Sequence, residues 1–278
     1  MNEFESKLAL IDLDLIRAKL NTPTLLDAFE WQYRQVTEST NADALQLFET
    51  ERSPCIVLAE MQTGGRGRRG RQWLSPFAKN ICCTIGMLKS VEACNPGLLS
   101  IVTGIALVES LAKLGIDGIK LKWPNDLVCQ NQKLGGILIE SRSISKQDYF
   151  FAIGFGINVT MNVEELAAIP QPATSLSLLT DSVVSRDAVL VEAIQQVVNA
   201  IDEFDRSSVP GIMNKFHALD ALRGQSISVL SGDESIDGLN LGINAEGQLQ
   251  LQTGQGRQVF SAADISLGRG HSAVTGRG

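Results

Sequence analysis

The chain has 278 residues, 44% of them apolar, with 24 lysines and arginines against 31 aspartates and glutamates and a formal net charge of −7. That length and apolar content support one large core plus a small satellite domain, and they exclude a disordered chain. The acidic balance, with a pI near 5.0, argues against general nucleic-acid affinity, which needs lysine and arginine spread over an extended face.

The N-terminus carries mixed charge and leads to no signal-type apolar run, so cytoplasmic residence is the expectation. Phe4, Leu8, Ile11 and Leu15 recur at helical spacing and predict one amphipathic helix ahead of Asn21-Thr22-Pro23. A strand follows at 31–36. Ser39-Thr40-Asn41 then opens a helix through Leu45 and Phe48, with Thr40 and Asp43 at capping-box spacing. Strands at 55–60 and 80–88 flank the loop Gly65-Arg66-Gly67-Arg68-Arg69-Gly70-Arg71-Gln72-Trp73. Asn95 is placed to cap, and Gly115 to end, a helix starting at Pro96. The apolar stretch 98–114 is interrupted by Ser100, Thr103, Gly104, Glu109, Ser110 and Lys113, so it reads as a buried helix rather than a membrane span.

Strands at 119–123, 136–141 and 149–159 continue the sheet, and 162–185 reads as largely loop. Val191, Ile194, Val198 and Ile201 mark a further amphipathic helix, and a shorter one covers 211–222. From Arg223 the texture changes: short apolar runs at 226–230, 239–243 and 249–252 alternate with Gly-Asp and Glu-Gly turns, the pattern of a small all-β barrel. The expected division is 1–30 as N-terminal helix and linker, 31–222 as main domain, 223–268 as barrel and 269–278 as flexible tail.

Cys55, Cys82, Cys83, Cys94 and Cys129 are odd in number and form no C-x-x-C pair, which supports neither a disulfide framework nor a zinc site. Cys82 and Cys83, within an apolar run, read as reduced core thiols. His217 and His271 have no partner at ligand spacing and read as structural or surface residues.

Three segments carry chemistry. In the arginine loop, glycines let the backbone wrap closely while guanidinium forks match phosphate or carboxylate oxygens two at a time. Its Gly65, Gly67 and Gly70 satisfy G-x-G-x-x-G, but a dinucleotide fingerprint needs a helix next, and Gln72-Trp73-Leu74-Ser75-Pro76 leads into a strand. The alternative is a solvated basic hairpin tip. Lys122-Trp123-Pro124-Asn125-Asp126 places a lysine and a carboxylate around a proline-set turn, and Asn-Asp there could equally be turn chemistry. Lys133, at a Gly135-Gly136 turn, adds a second cation seven residues beyond Asp126, or an exposed loop lysine. Ser39-Thr40-Asn41 suits both a helix cap and an anion site. Together these segments suggest an ATP-using, acyl-activating site.

In this order the motifs, with Gln62, Gly154 to Asn158 and Ala173-Thr174-Ser175-Leu176, resemble the biotin protein ligases over residues 9–267. The resemblance implies an α+β catalytic domain related to class II aminoacyl-tRNA synthetases and lipoate ligases, a mixed sheet flanked by helices, followed by a small SH3-like β-barrel. It implies that biotin and Mg-ATP form biotinyl-5'-AMP, which then biotinylates one lysine of the biotin carboxyl carrier protein. Ser39, Thr40, Asn41, Gln62, Gly65, Arg66, Gly67, Arg68, Lys133, Gly135 and Gly136 would hold biotin. Arg68, Arg71, Trp73, Lys122, Asn125, Lys133 and Asn158 would hold ATP or the adenylate. Lys133, Asp126 and Arg66 would act in catalysis, Asp126 serving the transfer to lysine. Magnesium should bridge phosphate oxygens while keeping several waters, so no protein metal ligand is named.

Several members of that family carry an N-terminal winged helix and double as repressors of biotin synthesis. The 38 residues ahead of Ser39 are too few for that domain, so a monofunctional ligase that binds no operator DNA is the expectation. Gly268 stands before Arg269 where many relatives have arginine directly after Ile-Ser-Leu, so no ATP contact is assigned there. The competing readings are a lipoate or octanoate ligase of the same fold, which lacks the arginine loop, and an adenylate-binding transcriptional regulator. No membrane partner is expected, and the oligomeric state stays open, a homodimer among the options.

Overall fold

Residues 55–60 are buried on both sides of the chain, as a strand in the middle of a covered sheet must be. The computed structural model describes residues 9–20, 27–91, 95–231, 234–261 and 263–267. Phe4, Leu8, Asn21-Thr22-Pro23, Cys94, Gly268, Arg269, His271 and the tail lie outside them. The main sheet comprises β1 (Glu30–Thr37), β2 (Cys55–Gln62), β3 (Asn80–Ser90), β4 (Lys120–Lys122), β5 (Asp126–Cys129), β6 (Gln132–Ser143) and β7 (Asp148–Asn158), in the order β1-β2-β3-β7-β6-β5-β4. Only β1 and β2 pair in parallel, so the sheet is mixed, as expected.

Among the described residues the α-helices are α1 (Leu13–Lys19), α2 (Thr40–Glu51), α3 (Leu99–Lys113), α4 (Val163–Leu166), α5 (Leu176–Leu179), α6 (Arg186–Asp202) and α7 (Val209–Leu219). Alternation along the strands gives the sheet two apolar faces. On one, Ile56, Leu58, Ile81, Cys83, Ile85, Ile153, Phe155 and Ile157 join α3 and α6 in the principal core. On the other, Cys55, Val57, Phe150 and Ala152 meet Ala44 and Phe48 of α2, with the Phe48 and Phe150 rings stacked 4.1 Å apart. By length and composition the stretch Pro96–Lys113 could cross a membrane. Here its apolar surface is spent on the core, and its buried hydroxyls bond back to their own helix, Thr103 Oγ1 to the Leu99 carbonyl at 2.7 Å and Ser110 Oγ to that of Leu107 at 2.7 Å.

A buried ion pair fastens the N-terminal segment. Glu60, fully buried in β2, accepts from Arg186 Nη1 at 2.6 Å, from the Ile11 amide at 2.6 Å and from the Tyr33 hydroxyl at 2.8 Å. Arg186 also donates to the carbonyls of Ala9 and Asn80. The second sheet, β8 (Ser226–Ser231), β9 (Glu234–Ile243), β10 (Leu249–Thr253), β11 (Gly256–Phe260) and β12 (Asp264–Leu267), is antiparallel in the order β11-β10-β9-β8-β12, consistent with the expected SH3-like fold. It is seated on the main domain by Trp123 Nε1–H donating to the Gly247 carbonyl at 3.0 Å and by the Ile243 amide donating to His217 Nε2 at 3.0 Å. Burial, aided by Arg223, lowers the pKa of His217 and favours the neutral ring that this acceptor role needs.

Several local readings change. The first helix begins only at Leu13, because Asp12 caps it through Leu15 N–H while the Ile11 amide is taken by Glu60. Ser39, not Thr40, precedes α2, and Asp43 accepts from Thr37 Oγ1 at 2.7 Å, so no capping box forms. The proline-set turn falls at 123–125, and Asp126, read as part of it, opens the short strand Asp126–Cys129. The turn before Lys133 is Gln130-Asn131, both at positive φ, and Gly135-Gly136 lie inside β6. The stretch 162–185 holds α4 and α5, and the helix placed at 211–222 runs Val209–Leu219.

Candidate active site

Antiparallel pairing sets Asn80, Cys82 and Thr84 of β3 opposite Asn158, Gly156 and Gly154 of β7. Alternation puts these six positions on the face that α2 covers further along. At about 3.3 Å per residue the row from 154 to 158 runs roughly 13 Å. Above it lies a cleft of about 750 Å³, a volume suited to a small molecule. Side chains are kept off its floor by necessity: a Cβ at Gly154 would collide with the Asn41 amide, and one at Gly156 would sit 2.5 Å from the Trp73 ring.

One end is polar. Gln62 Oε1 accepts from the Thr40 amide at 2.8 Å and from Thr40 Oγ1 at 3.1 Å, while Thr84 Oγ1 lies 2.8 Å from Thr40 Oγ1 and 2.7 Å from Asn41 Oδ1. The two threonines hold one hydroxyl proton each for these three side-chain contacts, so an acceptor remains for an incoming N–H. Asn41 Nδ2 donates to Leu138 O at 3.1 Å and to Glu140 at 2.9 Å, so its amide nitrogen is committed to the wall while its Oδ1 faces the threonines.

The middle holds the charges. Asp126 pairs in register with Gly136, and Gly136 with Gly156. Lys133 folds back over Gly136 to set Nζ 2.6 Å from Asp126 Oδ1. Its strand position is clamped on the far side, the Lys133 amide donating to Pro172 O at 2.9 Å and its carbonyl accepting from the Thr174 amide at 2.9 Å. The Ala173-Thr174 motif thus orients the lysine. At the other end Asn158 donates to Thr174 O at 3.0 Å and receives Asn80 Nδ2 at 3.3 Å.

The arginine loop, between β2 and β3, is a narrow hairpin. Gly67 N–H donates to Arg71 O at 2.7 Å and Trp73 N–H to Gly65 O at 2.9 Å, with a single 3-10 turn at Arg68–Gly70. No helix follows, which disposes of the dinucleotide reading. Arg66, Arg68, Arg69 and Arg71 all line the cleft. Arg66 reaches Glu140 at 3.5 Å, and Glu140 is itself held by Asn41.

Ser39, Thr40, Asn41, Gln62, Arg66, Gly67, Arg68, Arg71, Trp73, Lys122, Asn125, Asp126, Lys133, Gly136 and Asn158 all line this cleft. Gly65 and Gly135 stand behind it, small because a Cβ would meet Trp73 O at 2.7 Å and Gly156 O at 2.5 Å respectively. The sequence reading missed Asn80, Cys82 and Thr84, which become neighbours of the site only through strand register. It also missed Ile265 of β12 and Ala263 just ahead of that strand, both in the lining. Burial pushes the Cys82 thiol up to about 11 despite Ser75, Trp73 and Gln62 beside it, so at neutral pH it is no nucleophile. Among the described residues no three His, Cys, Asp or Glu side chains cluster as metal ligands.

Residues 32–158 match the Biotin/lipoate A/B protein ligase family, and residues 223–268 match the Biotin protein ligase C terminal domain. The chain is 32% identical over 233 residues to the Bifunctional ligase/repressor BirA of Escherichia coli (strain K12), spanning 84% of this chain and 72% of that protein. It is 32% identical over 236 residues to the Biotin--[acetyl-CoA-carboxylase] ligase of Paracoccus denitrificans, spanning 84% of this chain and 98% of that one.

The chain belongs to the biotin protein ligase family. The structure of the biotin protein ligase from Aquifex aeolicus in complex with biotin and ATP is similar with a TM-score of 0.71 at 26% identity, covering 86% of this chain and 99% of that one. The ligase C-terminal match begins at residue 223, where the sequence changes texture, and falls on β8 to β12.

Proposed function

We propose that this biotin protein ligase attaches biotin to a lysine of a biotin carboxyl carrier protein in two steps. In the first, a biotin carboxylate oxygen attacks the α-phosphorus of ATP and the bond to diphosphate breaks. In the second, the carrier lysine nitrogen attacks the acyl carbon, AMP leaves with the electron pair of the carbon–oxygen bond, and the amine gives up a proton. The observation that carries this reading is the Lys133–Asp126 pair, 2.6 Å apart, midway along a cleft whose two ends differ in chemistry.

The polar end suits a ureido ring, which needs fixed donors and acceptors. Thr40, Gln62 and Ser39 would supply them, and the acceptor left over among Thr40, Thr84, Asn41 and Gln62 would take a ureido N–H. Backbone at Gly65, Gly67, Gly135 and Gly136 would let the ligand lie close. Arg66 and Arg68 would cover the acyl side of the hairpin, and Arg71, Trp73, Lys122, Asn125 and Asn158 would face the nucleotide. Joining two anions requires neutralisation at the point of attack, and Lys133 stands there. Asp126 would orient the carrier amine and help remove its proton.

Magnesium, when bound with ATP, would spread the phosphate charge. Among the described residues Cys55, Cys82, Cys83 and Cys129 are buried free thiols, which fits a reducing, cytoplasmic setting. The net charge of −7 supports a ligase that binds no operator DNA, and a homodimer is compatible with the fold.

Biotin-dependent exchange of labelled diphosphate into ATP tests the first step. Exchange with biotin supports the reading; exchange with lipoate or octanoate in place of biotin would replace it with the neighbouring ligase activity.

A further inference from the structure

We infer that Asn80 is a positioning residue for the nucleotide half of the reaction, holding the foot of the arginine hairpin and Asn158 in one arrangement. The inference rests on the ligase reading above. Asn80 is fully buried and sits behind the cleft rather than in it. Its Nδ2 donates to Leu74 O at 3.1 Å and to Asn158 Oδ1 at 3.3 Å. Leu74 follows Trp73 at the hairpin foot, so one amide fixes both the ring over Gly156 and the amide at the far end of the floor.

The link continues beyond Asn158. Asn158 Nδ2 donates to Thr174 O, and the Thr174 amide donates to the Lys133 carbonyl. Five pieces of the chain are therefore joined through a row of hydrogen-bonded amides: the hairpin foot, β3, β7, the 173–174 segment and the strand of Lys133. Asn80 is itself anchored, its carbonyl accepting from Arg186 Nη1 at 3.2 Å within the buried Glu60 pair.

Packing alone does not account for asparagine at this place. Its Oδ1 is buried without a hydrogen-bond partner, a cost that an apolar side chain would avoid. What only asparagine supplies is the pair of N–H donors aimed at Leu74 and Asn158. Without them Asn158 Oδ1 loses its donor, and its amide is held by Thr174 O alone, a weaker hold on the groups it presents to the cleft. The biotin end, built from Thr40, Thr84, Asn41 and Gln62, meets the hairpin foot only through the Gln62 backbone, whose N–H donates to Ser75 Oγ at 3.0 Å and whose carbonyl accepts from it at 3.2 Å; the side chains that would face biotin bond to one another and not to Asn80 or Asn158.

The test compares KM for ATP with KM for biotin in adenylate formation by the full chain, for wild type, Asn80→Ala, Asn158→Ala and the double variant. The expected result is a rise of at least about tenfold, roughly 1.4 kcal/mol, in KM for ATP for Asn80→Ala, with KM for biotin within about twofold. Because Asn80 acts through Asn158, the same substitution adds little in the Asn158→Ala background. Equal changes in both KM values, or additive effects in the double variant, would overturn the assignment. If Asn80→Ala fails to fold, Asn80→Ser, which keeps a short donor that cannot reach both partners, carries the same comparison. A wild type that forms no adenylate contradicts the ligase reading and this assignment with it, whereas an active wild type with an Asn80 variant of parental ATP dependence contradicts the Asn80 assignment alone.

Discussion

The Trp73 ring occupies the space that a side chain at Gly156 would need, 2.5 Å from an ideal Cβ. Gly154, two residues earlier on the same face, stands in the same relation to the Asn41 amide. The two glycines therefore separate the ends of the cleft experimentally. Gly156→Ala should displace the indole and raise KM for ATP by about tenfold, while Gly154→Ala should act on biotin. Steady-state kinetics with each substrate varied will check this, and identical profiles for the two variants would contradict a cleft divided in this way.

Lys133 is clamped by backbone bonds on one side and by Asp126 on the other, and its side chain is not part of the apolar core. Lys133→Ala should therefore slow adenylation by about 10²- to 10³-fold, the usual cost of removing a group aimed at developing charge. Folding should be little affected. Rapid-quench measurement of biotinyl-AMP beside thermal unfolding separates the two; adenylation at the parental rate would remove Lys133 from the chemistry.

Asp126 does more than the sequence suggested. A carrier lysine, with an ordinary pKa of about 10.4, must lose a proton before it attacks, and Asp126 is placed to help. The carboxylate also holds Lys133, so Asp126→Asn weakens that grip. Adenylation should fall by less than about tenfold, while transfer from preformed adenylate falls by about 10²-fold, within the usual reach of acid–base assistance. A variant that transfers preformed adenylate at the parental rate leaves Asp126 only its ion pair.

The Glu60–Arg186 pair is buried at both partners. Arg186→Met would leave the Glu60 carboxylate uncompensated, and removing one partner of such a pair typically costs about 3–5 kcal/mol. Urea unfolding should show a loss of that order; a loss below about 1 kcal/mol would mean that the network contributes little beyond its packing.

Features whose physics is local were readable in the sequence. The arginine hairpin, the turn at Pro124, the helix ends at Asn95 and Gly115, and the buried character of Cys82 and Cys83 each follow from neighbouring residues. Asn80, Cys82 and Thr84 became part of the site only through their register with Asn158, Gly156 and Gly154, pairs 70 or more positions apart. Nothing at Thr84 itself distinguishes a strand threonine facing solvent from one bonded to Thr40 and Asn41. The Glu60–Arg186 pair spans 126 positions and left no sequence signal either. The Gly135-Gly136 reading failed for a related reason: glycine permits a turn, but here it permits close approach of Gly156 and Lys133 inside a strand.

The most direct measurement of the central claim is transfer of labelled biotin to a purified carrier domain by the wild-type chain with ATP and magnesium. The account predicts one label on a single carrier lysine, dependent on ATP, with AMP released in equal amount. Adenylate that forms while the carrier stays unlabelled, or labelling that proceeds without ATP, would contradict it.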